Sequence, residues 1–147
     1  MNSMNDEDEL QIVFEDNDED YKTVCNNLYN YNLKETKGLL TKPGRSINLF
    51  LRDKTGKAVS GIFCATYCET LYIDNFWIDE EHRKKGYGKS LIMQAENMAS
   101  QLGCKLSHTS TFSYQSPEFY QNMGYNVFGV IDEYPDGIIQ YFLKKRL

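Results

Sequence analysis

Apolar residues recur along this chain with two periods, and the points where the period changes predict its architecture. Leu10, Ile12 and Phe14 alternate with polar neighbours and predict a first strand. Asn17 to Asp20 then supply a cap and an acidic first turn, after which Tyr21, Val24, Cys25, Leu28 and Tyr31 recur at helical spacing. Residues 33–44 fit either a short second helix or a loop, closed by Thr41-Lys42-Pro43-Gly44. Ile47, Leu49 and Leu51 alternate in a second strand, Asp53-Lys54-Thr55-Gly56 signals a hairpin turn, and residues 59–67 return as a third strand. Thr70–Ile78 predicts a fourth, with Tyr72, Asp74, Phe76 and Ile78 on one face and Leu71, Ile73, Asn75 and Trp77 on the other.

The helix expected after Gly86 has the clearest pattern. Leu91, Ile92, Ala95, Met98, Ala99 and Leu102 form one apolar stripe, while Lys89, Gln94, Glu96, Asn97 and Gln101 face outward. Gly103 supplies its left-handed stop. Residues 105–112 predict a fifth strand of mixed polarity. Ser116-Pro117-Glu118 opens a short helix, with Ser as N-cap and Pro at the first position, and Gly124 closes it. Residues 126–131 and 138–143 are two further strands about the turn-like Tyr134-Pro135-Asp136-Gly137. The order predicts a mixed α/β fold: an antiparallel meander, then a right-handed crossover through the long helix.

Composition narrows the class without changing that picture. A chain of 147 residues fits one domain, spanning residues 10–147, behind a disordered acidic tail at residues 1–9. The net charge of -5 argues against nucleic acid as a partner and suits a cationic small molecule. Cys25, Cys64, Cys68 and Cys104 match no zinc or redox spacing, so the expectation is reduced thiols and no metal. His82 is expected to be exposed, and His108 to be a hydrogen-bonded structural residue. The acidic N-terminus lacks the apolar core of a signal peptide, and no run is long enough to cross a membrane, so the expected location is the cytoplasm.

One stretch carries the chemistry: Arg83-Lys84-Lys85-Gly86-Tyr87-Gly88-Lys89-Ser90, lying between a β-like run and the start of the long helix. The first turn of a helix has backbone N–H groups without intrahelical partners, at the positive end of its dipole. Glycines let a phosphate approach that backbone, so the stretch predicts an anion site.

Beyond that, Arg83-x-x-Gly86-x-Gly88 resembles the acetyl-CoA signature of the GNAT superfamily of N-acetyltransferases. Ser116-Pro117-Glu118-Phe119-Tyr120-Gln121-Asn122-Met123-Gly124-Tyr125 is similar to that family's later helix. Tyr72-Ile73-Asp74, Thr111-Phe112-Ser113-Tyr114-Gln115, and the tail from Tyr134 through Lys145 resemble a small single-domain bacterial branch. The resemblance covers residues 10–147 and is strongest after Leu71. It departs from the branch at Ser110, where an acid is common, and at Ile138, where a His is common. Acceptor choice therefore does not carry over.

The resemblance implies a central, mostly antiparallel sheet of about seven strands flanked by about four helices. It implies acetyl-CoA as acyl donor and a small-molecule or protein amine as acceptor, attacked directly in a ternary complex, and it allows a homodimer. The cofactor pyrophosphate would lie on the backbone N–H groups of Arg83, Lys84, Lys85, Gly86, Tyr87, Gly88, Lys89 and Ser90. The pantetheine arm would lie along Phe76, Trp77 and Ile78, with Ser116 as a further contact. Tyr120 would be the general acid to the leaving thiolate. A phenol with a pKa of about 10 is protonated at neutral pH, as that task requires. Asp74 is the first candidate for the amine's proton because an acid is unusual on the otherwise apolar face predicted for it. Glu69 and water are the reserves. A catalytically silent acyl-CoA sensor is the alternative function, and an interaction protein that kept only the fold is a third.

Overall fold

The computed structural model describes residues 10–40 and 44–147, so the expected acidic tail and residues 41–43 lie outside the described residues. The chain divides into two compact units, Met1–Gly38 and Leu39–Leu147.

The first unit carries helix α1, Asp18–Glu35. The Asn17 side chain caps it, accepting from the backbone N–H of Glu19 and Asp20 at 3.1 Å each. Asp18, Glu19 and Asp20 complement the positive end of its dipole. The strand expected at Leu10, Ile12 and Phe14 does not form; residues 10–17 have no regular structure. Alternation marks a run as suited to a sheet, but a strand's hydrogen bonds must come from a partner. Instead of a second helix, a turn follows α1, with Thr36 Oγ1 donating to the Asn32 carbonyl at 2.7 Å.

In the second unit, β1 (Ser46–Arg52), β2 (Ala58–Tyr67) and β3 (Thr70–Ile78) form the antiparallel meander. Asp53 Oδ1 builds the first hairpin by accepting from the Thr55 and Lys57 backbone N–H groups at 2.8 and 3.1 Å. Helix α2 (Tyr87–Gln101) crosses over to β4 (Leu106–Phe112), which pairs parallel with β3. Helix α3 (Pro117–Asn122) leads to β5 (Asn126–Ile131) and β6 (Gln140–Arg146). The sheet order is β1-β2-β3-β4-β6-β5, antiparallel except at β3–β4. The mixed α/β class is as expected, with six strands and three α-helices among the described residues where about seven and about four were implied.

Two details of packing differ from the sequence pattern. The β2–β3 register pairs Phe63 with Asn75 but Cys64 with Ile73, so Asp74 is the extra residue of a β-bulge. A bulge resets the alternation. Leu71 and Ile73 are buried, and beyond the bulge it is Phe76 and Ile78 that turn to the helix-covered face, while Asn75 and Trp77 are exposed. Glu96, expected to face outward, is buried at 7 % exposure because it has dedicated partners. Lys145 Nζ lies 2.8 Å from one carboxylate oxygen, and the Tyr125 hydroxyl donates to the other at 2.8 Å. The Tyr125 oxygen lies 2.7 Å from Ser107 Oγ, which completes a satisfied network inside the apolar cluster.

That cluster joins Ile47, Ile62, Leu71 and Ile73 of the sheet to Leu91, Ile92, Ala95 and Ala99 of α2. The helix seats closely because Gly88 has no side chain. A Cβ there would stand 3.0 Å from Ile78 Cδ1 and 3.2 Å from Phe119 Cε2.

Removing one member of a buried ion pair strands the other, so Lys145→Met should cost about 3 kcal/mol by urea denaturation. Gly88→Ala should cost about 1–3 kcal/mol through overpacking against Ile78 and Phe119. Loss in that range, read in the same denaturation assay, checks the tight seat.

Candidate active site

The β3–β4 ladder runs only from Thr70↔Leu106 to Ile73↔Thr109. Beyond it lies the Asp74 bulge, and the remainder of β3 has no partner on that side. Thr109 Oγ1 closes the last rung by donating to the Ile73 carbonyl at 2.9 Å. The two strands thus part into an open groove, with Asp74, Asn75, Phe76, Trp77 and Ile78 along one lip and Ser110, Thr111 and Phe112 along the other.

The loop after β3 is tied down by its own side chains. Arg83 Nε donates to the Ile78 carbonyl at 2.8 Å, and Lys85 Nζ to the Glu81 carbonyl at 2.7 Å. Lys84 and Gly86 both take left-handed backbone, at φ 57° and 85°. Gly86 stands at the N-cap of α2, where no side chain caps the helix and no acid occupies its first turn. A Cβ at Gly86 would meet nothing within 4 Å, so the approach to the N–H groups is open. Ser90 Oγ turns inward to the Gly86 carbonyl at 3.2 Å, while Tyr87 and Lys89 remain exposed. His82, expected to be exposed, is half-buried, and its Nδ1 is enclosed without a hydrogen-bond partner.

Tyr120, on α3, is 7 % exposed and packs edge-on against Phe119 and Tyr125, with ring centroids 5.4 and 5.7 Å away. Burial pushes its phenol up to about 12, partly offset by the polar influence of the Thr109 hydroxyl. Cys64 lies in the same neighbourhood. Burial raises its thiol to about 12, the Asp74 carboxylate adds to that rise, and Cys64 in turn acts on Tyr120. Asp74 itself is exposed and accepts from Asn75 Nδ2 at 3.0 Å.

Other sequence candidates are placed elsewhere. Glu69 sits in the β2–β3 hairpin at φ 58°, paired with Lys105 at 3.1 Å. Five residues of β-strand put it roughly 16 Å from the bulge, too far to share a proton with an amine held there. Ser116 occupies the N-cap position of α3 but in left-handed backbone, and its side chain makes no capping bond. Trp77 points to the opposite sheet face, where with Phe50 and Phe63 it lines an apolar hollow of about 150 Å³. Only its backbone borders the groove. His108 stacks on Tyr72 at 5.0 Å, and burial lowers its pKa, which favours the neutral ring. A second hollow, of about 650 Å³, is lined by Lys144, Lys145 and Arg146 at the far end of β4.

At the near end of β4, an aromatic rim borders the groove. Phe112 stacks on Tyr114 at 5.6 Å and meets Tyr134 at 5.4 Å. Tyr134 donates to Gln140 Oε1 at 2.8 Å, and Gln140 Nε2 to Ser110 Oγ at 3.1 Å. Thr109 is the residue that motif reading missed. Its signal was the mixed polarity of its strand, where Ser107, Thr109 and Thr111 occupy core-facing positions.

Residues 45–127, more than half of the chain, match the family model of the acetyltransferase (GNAT) domain. The blasticidin-S acetyltransferase of Streptomyces morookaense is 31% identical over 116 residues, covering 78% of this chain and 85% of that protein. The crystal structure of an acetyltransferase from Bacillus cereus superposes with a TM-score of 0.84 at 32% identity, over 93% of this chain and 98% of that one. The PaiA N-acetyltransferase of Thermoplasma acidophilum, crystallised with coenzyme A, shares the fold at 16% identity, with a TM-score of 0.58 over 69% of this chain and 61% of that one. Family match, relative and fold agree with the strand–glycine loop–helix geometry: the chain belongs to the GNAT family of acetyltransferases, which take the acetyl group from acetyl-CoA and in general pass it to amines.

Proposed function

We propose that this chain acetylates a primary amine of a small cationic molecule by direct attack on acetyl-CoA, with Tyr120 as general acid and Asp74 receiving the amine's proton. One observation carries the reading. The uncapped N-terminus of α2, with no acid in its first turn, and the buried, protonated phenol on α3 stand on two helices that meet where Gly88 faces Phe119.

The residues present fit the acyl donor. The α2 N-terminus offers unpartnered N–H groups to a pyrophosphate, and Gly86 leaves the space in front of them open. Arg83 and Lys85 hold the loop in shape through backbone carbonyls, so the backbone is the anion ligand and Lys84 and Lys89 add attraction. The unpaired lip of β3 from Asp74 onward offers an amide arm a strand edge to pair with.

Acetyl-CoA supplies an acetyl group activated as a thioester. The new C–N bond forms as the C–S bond breaks. The incoming ammonium gives one proton to Asp74 before attack and loses a second to solvent as the amide forms; the sulfur takes the Tyr120 proton, Asp74 passes its proton to solvent, and solvent returns one to the phenol. With its pKa pushed up to about 12, Tyr120 is loaded with that proton throughout the neutral range. An alkyl amine has a pKa of about 10.4 and arrives mostly as ammonium, so a carboxylate at the bulge both attracts it and accepts its proton. The relative that acetylates blasticidin S and the net charge of -5 both support a basic small molecule as acceptor. The neutral Ser110–Gln140 pair and the rim of Phe112, Tyr114 and Tyr134 support a flat one.

Tyr120→Phe should lower kcat about 100-fold while the calorimetric affinity for acetyl-CoA stays nearly unchanged. Equal losses in both would make Tyr120 a packing residue, and full binding with no turnover on any amine would favour the sensor. Asp74→Asn should shift the rise of kcat/KM to higher pH, where more amine arrives neutral. An unaltered pH profile with unaltered amine saturation would remove Asp74 from the reaction.

A further inference from the structure

We propose that the hollow at the far end of β4 is a second binding site, one that takes a small, multiply charged oxyanion. It stands apart from the groove. Leu106 on its wall and Phe112 on the groove's lip are the two ends of β4, roughly 20 Å apart. The hollow exists because β5 starts late. Asn126, the first residue of β5, pairs with Lys144, so Lys145 and Arg146 run on with no strand paired to them on that side among the described residues. Leu147 donates its backbone N–H to the Lys105 carbonyl, on the β4 side. Backbone groups alternate in direction along an antiparallel strand, which turns the Arg146 N–H toward the vacant side.

The charge around this vacancy names the ligand. Lys144, Lys145 and Arg146 line it with Leu106, Gly124 and Asn126, and no acid stands among them, on a chain whose net charge is -5. Ion pairs among the described residues join Arg83 to Glu80, Lys105 to Glu69 and Lys145 to Glu96. Lys144 has only the Phe128 ring, 5.4 Å from its Nζ, and Arg146 has neither an acid nor a ring among the described residues. Lys145 spends one proton on Glu96 at 2.8 Å and keeps two more donors. The wall therefore offers two ammonium groups, a guanidinium fork and a backbone N–H. A guanidinium holds two oxygens at once, and ammonium groups act as point charges beside it. A pyrophosphate or polycarboxylate group has the oxygens and the charge to use all of them. A hollow of about 650 Å³ suits a small anion, whereas the acidic surface beyond it repels a long one such as nucleic acid.

The test follows backbone amides by NMR while inorganic pyrophosphate is titrated into the whole chain, with and without coenzyme A. The amides of Gly124, Asn126 and residues 144–146 should move along one saturating curve, with a dissociation constant of about 1 mM or tighter, whether or not coenzyme A is present. An anion on the α2 N-terminus would instead move Gly86 through Ser90 and give way to coenzyme A. Lys144→Gln combined with Arg146→Gln should weaken pyrophosphate about tenfold or more and leave the affinity for acetyl-CoA unchanged. Both side chains are exposed, so the double variant keeps its core, and Lys145 is left in place to hold buried Glu96. A parallel titration with citrate separates the sources: movement with both anions assigns the site to phosphates and carboxylates alike, and movement with one assigns it to that class. No saturable movement at residues 124, 126 and 144–146 with either anion up to about 10 mM, or equal affinity in the double variant, would overturn the inference. Movement confined to residues 86–90 would overturn it too, while leaving the acyl-donor site standing. Failure of coenzyme A to bind would count against that donor site and not against this one.

Discussion

The rung between Ile73 and Thr109 is where β3 and β4 stop being one sheet, and the site exists because they stop there. Continued pairing would have satisfied the backbone and sealed the groove. Two local devices end it. The bulge at Asp74 shifts β3 by one residue, and Thr109 spends its hydroxyl on the last carbonyl that a ladder would have used. Every buried carbonyl needs a partner, so a side-chain hydroxyl at the branch point lets the strands part without leaving one orphaned. The rest follows from that opening. Phe76 and Ile78 turn toward the helices, Gly88 lets α2 settle against Ile78, and Phe119 closes the same contact from α3.

The two long helices show how differently an N-terminus can be treated within one chain. At α1, an Asn caps the backbone and three acids balance the dipole. At α2, the cap position is a glycine in left-handed backbone, and the first turn has neither cap nor acid. With glycine at the cap position, leaving those groups without a side-chain cap costs about a few tenths of a kcal/mol relative to a good cap, and the Asn17 cap of α1 shows that the means were available. The basic residues beside the open end are less free than their charge suggests. Arg83 and Lys85 each donate to a loop carbonyl, and they shape the loop before the open helix end.

How much of this was legible in the sequence depended on how far each feature relies on distant residues. The glycine loop, the capped α1 and the short α3 are local, and the residues that make them stand side by side. The bulge is not local. Strict alternation put Asp74, Phe76 and Ile78 on one face, whereas the pairing of Phe63 with Asn75 and Cys64 with Ile73 moved the last two to the other. Glu96 looked solvent-facing on a helical wheel because its partner Lys145 is 49 positions away. Residues 10–14 alternated without gaining a partner strand. Local chemistry was readable, and anything decided by a remote neighbour was not.

The polar residues inside β4 explain how so short a helix can be held steady against the sheet. Six residues lie well below the length at which a helix is stable alone, so α3 takes its position from its contacts. Its N-terminal end is pinned by buried Pro117, and the chain just past its C-terminal end is joined to β4 through Tyr125. The Tyr125 hydroxyl, just past the helix, lies 2.7 Å from Ser107 Oγ on the core-facing row of β4. Apolar side chains at those strand positions would pack as well, but dispersion contacts tolerate sliding and rotation that hydrogen bonds between buried hydroxyls do not. Thr111, the third hydroxyl of the row, lies 3.4 Å from Gln115 in the loop leading into the helix. Core-facing hydroxyls at Ser107 and Thr111 therefore index the α3 segment against the sheet on either side of the helix, and Tyr120 is carried between those two anchors.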